Sequence, residues 1–349
     1  MNKILVIGCF GDKTGRLDGQ INKTNTIYTM MKERLDKNSK LDYFNTLSVE
    51  DNIFLIFKLI VKLIWCNTAV LIPANHSLEI FFPFLYYFSK VARYKIIHIC
   101  VGGWQLDFFF GGTKFTPHPL QMKLSKKCFA IIAEVKMVYK ELTTTHGFTN
   151  CDYLPNFRRF KYEPLLANDS ETLKLVYFGR VNKQKGYDII FGLADYIVKN
   201  SLNITISFYG RIEPSDEKDF LEKVSAYSEL VNYGGMLKDE EITTTMRKYD
   251  VMLLPTRYYT EGVSGTMLDG YIAGIPIIAT DWLHAHDYIE NGYNGFIVPF
   301  DNPQSDFIEK VKLLYKDRKL LRKMKEAAHE TSKEYSEENA WSILSKYFK

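Results

Sequence analysis

Apolar residues in this chain fall into two kinds of run. The short, unbroken ones, Lys3–Cys9 (KILVIGC), Thr68–Pro73 (TAVLIP) and Lys95–Cys100 (KIIHIC), are rich in Ile, Val and Leu. Runs of that length and composition predict strands covered on both faces, as in parallel sheets. Longer segments lie between them. Residues from about Thr24 to Lys37 predict a helix after a Gly-rich loop. The stretch 53–65, IFLIFKLIVKLIW, predicts a helix that is apolar almost all round, with Lys58 and Lys62 four residues apart on one side. The aromatic run LEIFFPFLYYFSKVARYK predicts another helix. Strands alternating with helices of this size imply a parallel sheet with helices on both faces.

The segment 154–172, LPNFRRFKYEPLLANDSET, breaks the alternation. Its two prolines, its charge and its Asn-Asp-Ser cluster predict a connection between domains. The pattern then restarts, with strands at 173–180, 204–210, 230–233, 250–255 and 275–280. Helices are predicted at 186–199, 216–227, 239–247, 265–273, 305–317 and 318–332. The expected fold class is α/β, with two doubly wound domains, residues 1–160 and 173–332, facing across a cleft. Ligands of such domains sit at the carboxyl ends of the strands.

Composition adds limits. A chain of 349 residues with 46% hydrophobic and 25% charged residues has material for two ordinary cores. No apolar run reaches the roughly 18 residues of a membrane-spanning helix, and MNKILVIGCF suits a first strand better than a signal peptide. Cys9, Cys66, Cys100, Cys128 and Cys151 are scattered and without CxxC spacing, which argues against disulfides or zinc and for a reducing cytoplasm.

Charge is divided unequally. Residues 1–165 hold 22 Lys and Arg against 13 Asp and Glu, a net of +9, and the rest of the chain carries −5. A basic half implies an anionic partner. Basic and aromatic residues do not interleave as in a nucleic-acid motif, so nucleic acid is not expected and an anionic membrane surface is. The expected place is therefore cytoplasmic, peripheral on the inner face of the membrane.

The densest chemistry lies in TEGVSGTMLDGYIAGIPIIATDW, 260–282. After a strand ending at Pro255, Glu261 is presented by a loop, and Gly262, Val263, Ser264, Gly265 and Thr266 lead into a helix. Free amides and the positive helix end at that point favour phosphate. Asp269 follows on the same helix, which Gly274 and Pro276 end.

This run resembles the E-x7-E element of family-4 glycosyltransferases, with Glu261 first and Asp269 eight residues on. Ahead of it, YFGRVNKQKGYDII resembles that family's donor-phosphate segment, with Arg180 and Lys185 as its basic pair. VNYGGMLKDEEITTTMRKYDVMLLPT and NGYNGFIVPFDNP are similar to its intervening and following segments, so the likeness covers about 173–332. Surface-polysaccharide members are the nearest, through Gly265–Tyr271 and Ala279–Trp282. The resemblance implies the two-domain GT-B fold and retaining transfer from a nucleotide-sugar donor, a UDP-sugar first. A saccharide or lipid-linked acceptor is implied with it.

It also implies roles. Glu261 would bind hydroxyls of the donor sugar and Asp269 the ribose. Arg180 and Lys185 would hold the diphosphate, helped by amides at 263–266. Met236 and Leu237 would contact the donor, and 333–349 would form a helix crossing back to the first domain. No cofactor and no metal are expected, since the chain has no Asp-x-Asp.

Two departures stand out. Asp269 is one methylene shorter than the usual glutamate, and the family's acceptor-side loop histidine is replaced by Gly102-Gly103, with His98 inside the strand. His98, Gly102, Gly103, Gly19 and Gln20 are the acceptor-side candidates. His98 is read first as a core residue, and Gly19-Gln20 is at least as well read as a plain turn. His284 and His286 lack a third metal ligand nearby. Two other functions fit the pattern: a nucleotide-sugar epimerase of GT-B fold, and a transferase-fold partner subunit without turnover.

Overall fold

The fold is that of a computed structural model, which describes residues 1–11, 19–47, 54–112, 115–165, 170–259 and 265–349, with backbone alone at 75–77. The chain forms two compact units, one of Met1–Asn156 with Glu337–Lys349, the other of Phe157–Ser336.

The first unit begins β1 (Lys3–Gly8), α1 (Gly19–Arg34), β2 (Lys40–Asn45), α2 (Leu55–Trp65), β3 (Thr68–Ile72), α3 (Asn75–Ala92) and β4 (Lys95–Ile99). It continues with β5 (Ala130–Ala133) and β6 (Cys151–Tyr153). The strands pair in the order β2-β1-β3-β4-β5-β6, all parallel. Ile4, Leu5, Val6, Ala69, Val70 and Ile97 are wholly buried, as unbroken aliphatic runs in a two-face-covered sheet must be. Strands β2, β5 and β6 go beyond the sequence expectation. Runs of three or four residues carry no readable period, and KLDYFN in β2, at the sheet edge, mixes charged, polar and aromatic residues without one.

Helix α1 starts five residues earlier than expected. Helix α2 is not buried all round: Leu59 and Leu63 face inward, while Phe57, Val61 and Ile64 are 63–69% exposed. Lys62 does not stand beside Lys58 as a free basic marker, because its ammonium is held by the Asp42 carboxylate and, at 3.1 Å, by the Tyr43 carbonyl. Helix α3 repeats the division, with Leu78, Phe82 and Leu85 inside and Ile80, Phe84, Tyr87 and Val91 outside. The closing segment, with a helix at Glu337–Leu344, packs within this unit. Arg34 donates to the Glu337 carboxylate at 2.9 Å, the Tyr347 hydroxyl donates to Asp152 at 2.9 Å, and Leu344 and Phe348 are buried.

The second unit runs β7 (Leu173–Phe178), α4 (Tyr187–Lys199), β8 (Ile204–Tyr209), β9 (Val231–Tyr233), β10 (Val251–Leu254), α5 (Gly265–Ala273), β11 (Ile277–Thr280) and β12 (Gly295–Val298). The order is β12-β11-β10-β7-β8-β9, again all parallel. The chain moves outward from β7 to β9 and then returns to pair β10 on the other side of β7. That reversal makes a crevice beyond the carboxyl ends of β7 and β10. The unit boundary falls inside the predicted connecting segment. From Phe157, which is buried, the chain is fastened to the second unit, and the Arg158 amide donates to the Tyr335 carbonyl at 2.9 Å. Among the described residues no helix is long and apolar enough to cross a membrane.

Candidate active site

At the reversal between β7 and β10 lies a recess of about 330 Å³, within the range of small-molecule sites. The chain after β7 supplies Gly179, Arg180, Asn182 and Lys185, and the chain after β10 supplies Thr256 and Tyr258. Thr266 of α5 and the buried Trp282 add to the wall, and among the described residues no carboxylate lines it.

Local chemistry explains the loop after β7. The Asn182 side chain accepts the Lys185 amide at 2.8 Å and so caps the short turn Lys183–Lys185. Gly186 follows at φ +78°, and a Cβ there would sit 2.0 Å from the Pro255 carbonyl oxygen. Only glycine allows both that conformation and that approach, which presses the loop against the end of β10. Arg257 reinforces the junction, donating twice to Asp188 at 2.7 and 2.8 Å and once to the Lys183 carbonyl at 2.7 Å. Lys185 stands 5.2 Å over the Tyr258 ring, while Arg180 reaches solvent.

Helix α5 aims its amino end at the same region. Gly265 and Thr266 open it, and Gly274 ends it in a left-handed turn, with Gly274 donating to Tyr271 and Ile275 to Gly270, each at 2.9 Å. Glu261, Gly262, Val263 and Ser264 lie outside the described residues.

Asp269 is 9% exposed, and Arg158 Nε donates to its Oδ1 at 3.0 Å. Burial pushes the Asp269 carboxyl up from its ordinary range, with Arg158 pulling it back down. Arg158 also lies across the first turn of α5, where a Cβ on Gly265 would come within 2.1 Å of its Nη2. No local pattern announced Arg158, because its partner is 111 residues away. Met236 is 69% exposed on the loop after β9, and Leu237 packs against the core that holds α5.

The first unit arranges its candidates otherwise. Of the two readings of His98 the structure fits the core one: on β4 it is 0% exposed and tilted against Phe82 at 5.7 Å, which does not suit an acceptor-side role. Burial without a hydrogen-bond partner for either ring nitrogen lowers its pKa to about 4. Gly19 and Gln20 form the first turn of α1 and no loop, and the Gln20 amide donates to the Ile72 carbonyl at 2.8 Å. Gly102 takes φ +74° and donates its amide to Glu134, with Gly103 beside it. Glu134 also pairs with Lys23 at 2.9 Å, both nearly buried. Neither member of that pair was foreseen.

These features can be set beside known proteins. Residues 159–331, almost the whole second unit, match the family model described as Glycosyl transferases group 1. The second unit belongs to this family. Among curated transferases, one from Methanocaldococcus jannaschii, itself uncharacterised, is 27% identical over 172 residues, 49% of this chain and 46% of that protein. The Staphylococcus aureus capsular polysaccharide biosynthesis glycosyltransferase CapM is 26% identical over 166 residues, 46% of this chain and 40% of that one. The chain thus spans less than half the length of the curated relatives it matches. Anabaena HepE, solved with UDP bound, superposes with a TM-score of 0.72 at 12% identity, over 100% of this chain and 99% of HepE. At that identity the likeness establishes the fold, which is GT-B in both parallel sheets.

Proposed function

We propose that this transferase-family chain moves a sugar, with retention, from a nucleoside diphosphate sugar to a saccharide or lipid-linked acceptor in surface polysaccharide or glycolipid synthesis. The carrying observation is the recess at the β7/β10 reversal, where Arg180, Lys185 and the amino end of α5 converge and no carboxylate stands among the described residues. Such a wall suits a diphosphate, whose charge grows as the glycosidic bond breaks. Preorganised cations and amides at a leaving group are worth on the order of 3 kcal/mol each. A UDP-sugar is the first donor to try, since HepE is known with UDP and the chain's relatives include CapM. Glu261 is proposed for the donor sugar and Asp269, with Arg158 holding it, for the ribose. Transfer is proposed to need no metal, because the two cations can take that part.

Acceptor chemistry is proposed to occur at an anionic membrane surface on the cytoplasmic side. The outward apolar rows of α2 and α3 favour that place. A nucleotide-binding subunit without turnover is the second reading, favoured by the engagement of Asp269 with Arg158.

The test is direct. UDP should raise the melting temperature, by about 2.7 kcal/mol of added stability at a hundred times its Kd. Arg180→Ala or Lys185→Ala should lower kcat/KM by roughly 100-fold. Full activity in either variant would remove the diphosphate assignment. A UDP shift without turnover on any donor would favour the second reading.

A further inference from the structure

Helices α2 and α3 touch along a crevice whose walls, Leu59, Leu78, Phe82 and Leu85 among them, are apolar but for Thr46. Their outer rows remain in solvent, and on α3 the row ends at Val91, 77% exposed. Contiguous exposed apolar side chains of this kind mark contact surfaces.

Next to Val91 a second recess opens, of about 230 Å³. Tyr86, Ser89 and Lys90 come from the last turns of α3, Lys95 opens β4, and Lys127 and Phe129 precede β5. The recess therefore lies at the amino ends of the strands. Among the described residues no carboxylate lines it, and none of Lys90, Lys95 and Lys127 forms an ion pair with one. The ammonium of Lys90 is seated 4.7 Å over Tyr86 and that of Lys95 4.5 Å over Phe129, which keeps both at the rim. The acid reached through Phe129 and its neighbour Tyr347 is Asp152, already engaged by the Tyr347 hydroxyl and the Lys346 ammonium. A lysine closing a helix is ordinary, since it answers the helix dipole. Three lysines converging from three elements on one recess without a compensating acid are not explained by that.

We infer that this recess holds the phosphate of an anionic phospholipid headgroup and docks the first unit on a lipid surface. The volume is below that of usual small-molecule sites and suits a phosphate rather than a sugar nucleotide. The apolar row leading to it along α3 supplies the other half of an amphiphile's chemistry. The inference rests on the membrane part of the reading above and gives it a location that Lys62 cannot provide.

Co-sedimentation of the full chain with vesicles decides it. Phosphatidylglycerol vesicles should carry the protein down at low salt and release it as salt rises, and phosphatidylcholine vesicles should not. Lys90→Ser, Lys95→Ser and Lys127→Ser combined should bind phosphatidylglycerol roughly 100-fold more weakly. A control combining Lys32→Ser, Lys37→Ser and Lys140→Ser, exposed lysines of the same unit, should bind like the parent. An unchanged UDP-induced melting shift would certify that the triple variant is folded. If the parent binds vesicles but the recess variant binds equally, or the control loses as much, the recess is wrong and the membrane reading stands. If the parent ignores phosphatidylglycerol, both fall. Stabilisation of the parent by inorganic phosphate, lost in the recess variant, without vesicle binding would assign the site to a soluble phosphate and overturn the lipid.

Discussion

The two sheets are built alike, six parallel strands each, yet the carboxyl ends of their strands treat charge in opposite ways. In the second unit Arg180 reaches solvent and, with Lys185, lines a recess that holds no acid among the described residues. In the first unit the comparable level is occupied by Lys23 and Glu134, only 4% and 6% exposed at their side chains, locked to each other and to the Gly102 amide. Charge that is kept wet can meet a ligand at low cost. Charge that is buried must be answered internally and then serves to order the loops around it. One fold thus provides a wet, cationic edge in one unit and, among the described residues, a buried ion pair at the same level in the other.

The largest way to break this comparison is Glu134→Ala. It removes the carboxylate that answers the buried Lys23 ammonium and should cost about 3–5 kcal/mol, read by thermal or urea unfolding. Arg180→Ala, on the wet edge, should stay within about 0.5 kcal/mol of the parent. Equal losses in the two variants would erase the distinction.

His98 gives the next effect, in pH. Its folded pKa of about 4 lies below the unfolded imidazole's ordinary value. The unfolded chain therefore takes up a proton that the folded chain refuses. Stability should be full above about pH 6.5 and fall by about 3 kcal/mol as pH drops toward 4. His284 and His329, also lowered by burial, act in the same direction. His98→Leu should flatten much of the slope, and an unchanged slope would mean that the ring is not protonated on unfolding alone.

A smaller effect sharpens the picture at α5. Arg158→Ala should weaken UDP binding by roughly tenfold, the loss of one charge-assisted contact. Gly265→Ala should reproduce it, because the added methyl takes the place of the guanidinium. Calorimetry that finds the two variants different would separate Arg158 from the nucleotide. The smallest expected effect is from chelator: turnover should persist in EDTA, and a loss restored by Mn²⁺ or Mg²⁺ would contradict a site run by cations of the chain.

Much of the second unit could be read from its residues. The predicted helix 265–273 matches α5 end for end, since Gly274 and Pro276 act within a few residues of the turn they stop. Arg180 and Lys185, named from the resemblance of YFGRVNKQKGYDII, line one recess because a single loop carries both. On the acceptor side Gly19-Gln20 lies in helix where a turn was expected, and His98 takes its core reading; a single polar residue in an apolar run says nothing of which way it faces.

By itself the sequence determined the alternation of strands and helices, the two-sheet class, the basic bias of the first half and the local loop chemistry. All of these depend on contacts within a few residues or on composition. Tertiary structure alone decided that Lys62 is bound by Asp42, that Arg158 holds Asp269, that Lys23 and Glu134 are a buried pair, and that Lys90, Lys95 and Lys127 meet at one recess. Those partners stand on different elements, up to 111 residues apart. Strand order and helix placement bring them together, and no pattern along the chain encodes such a distance.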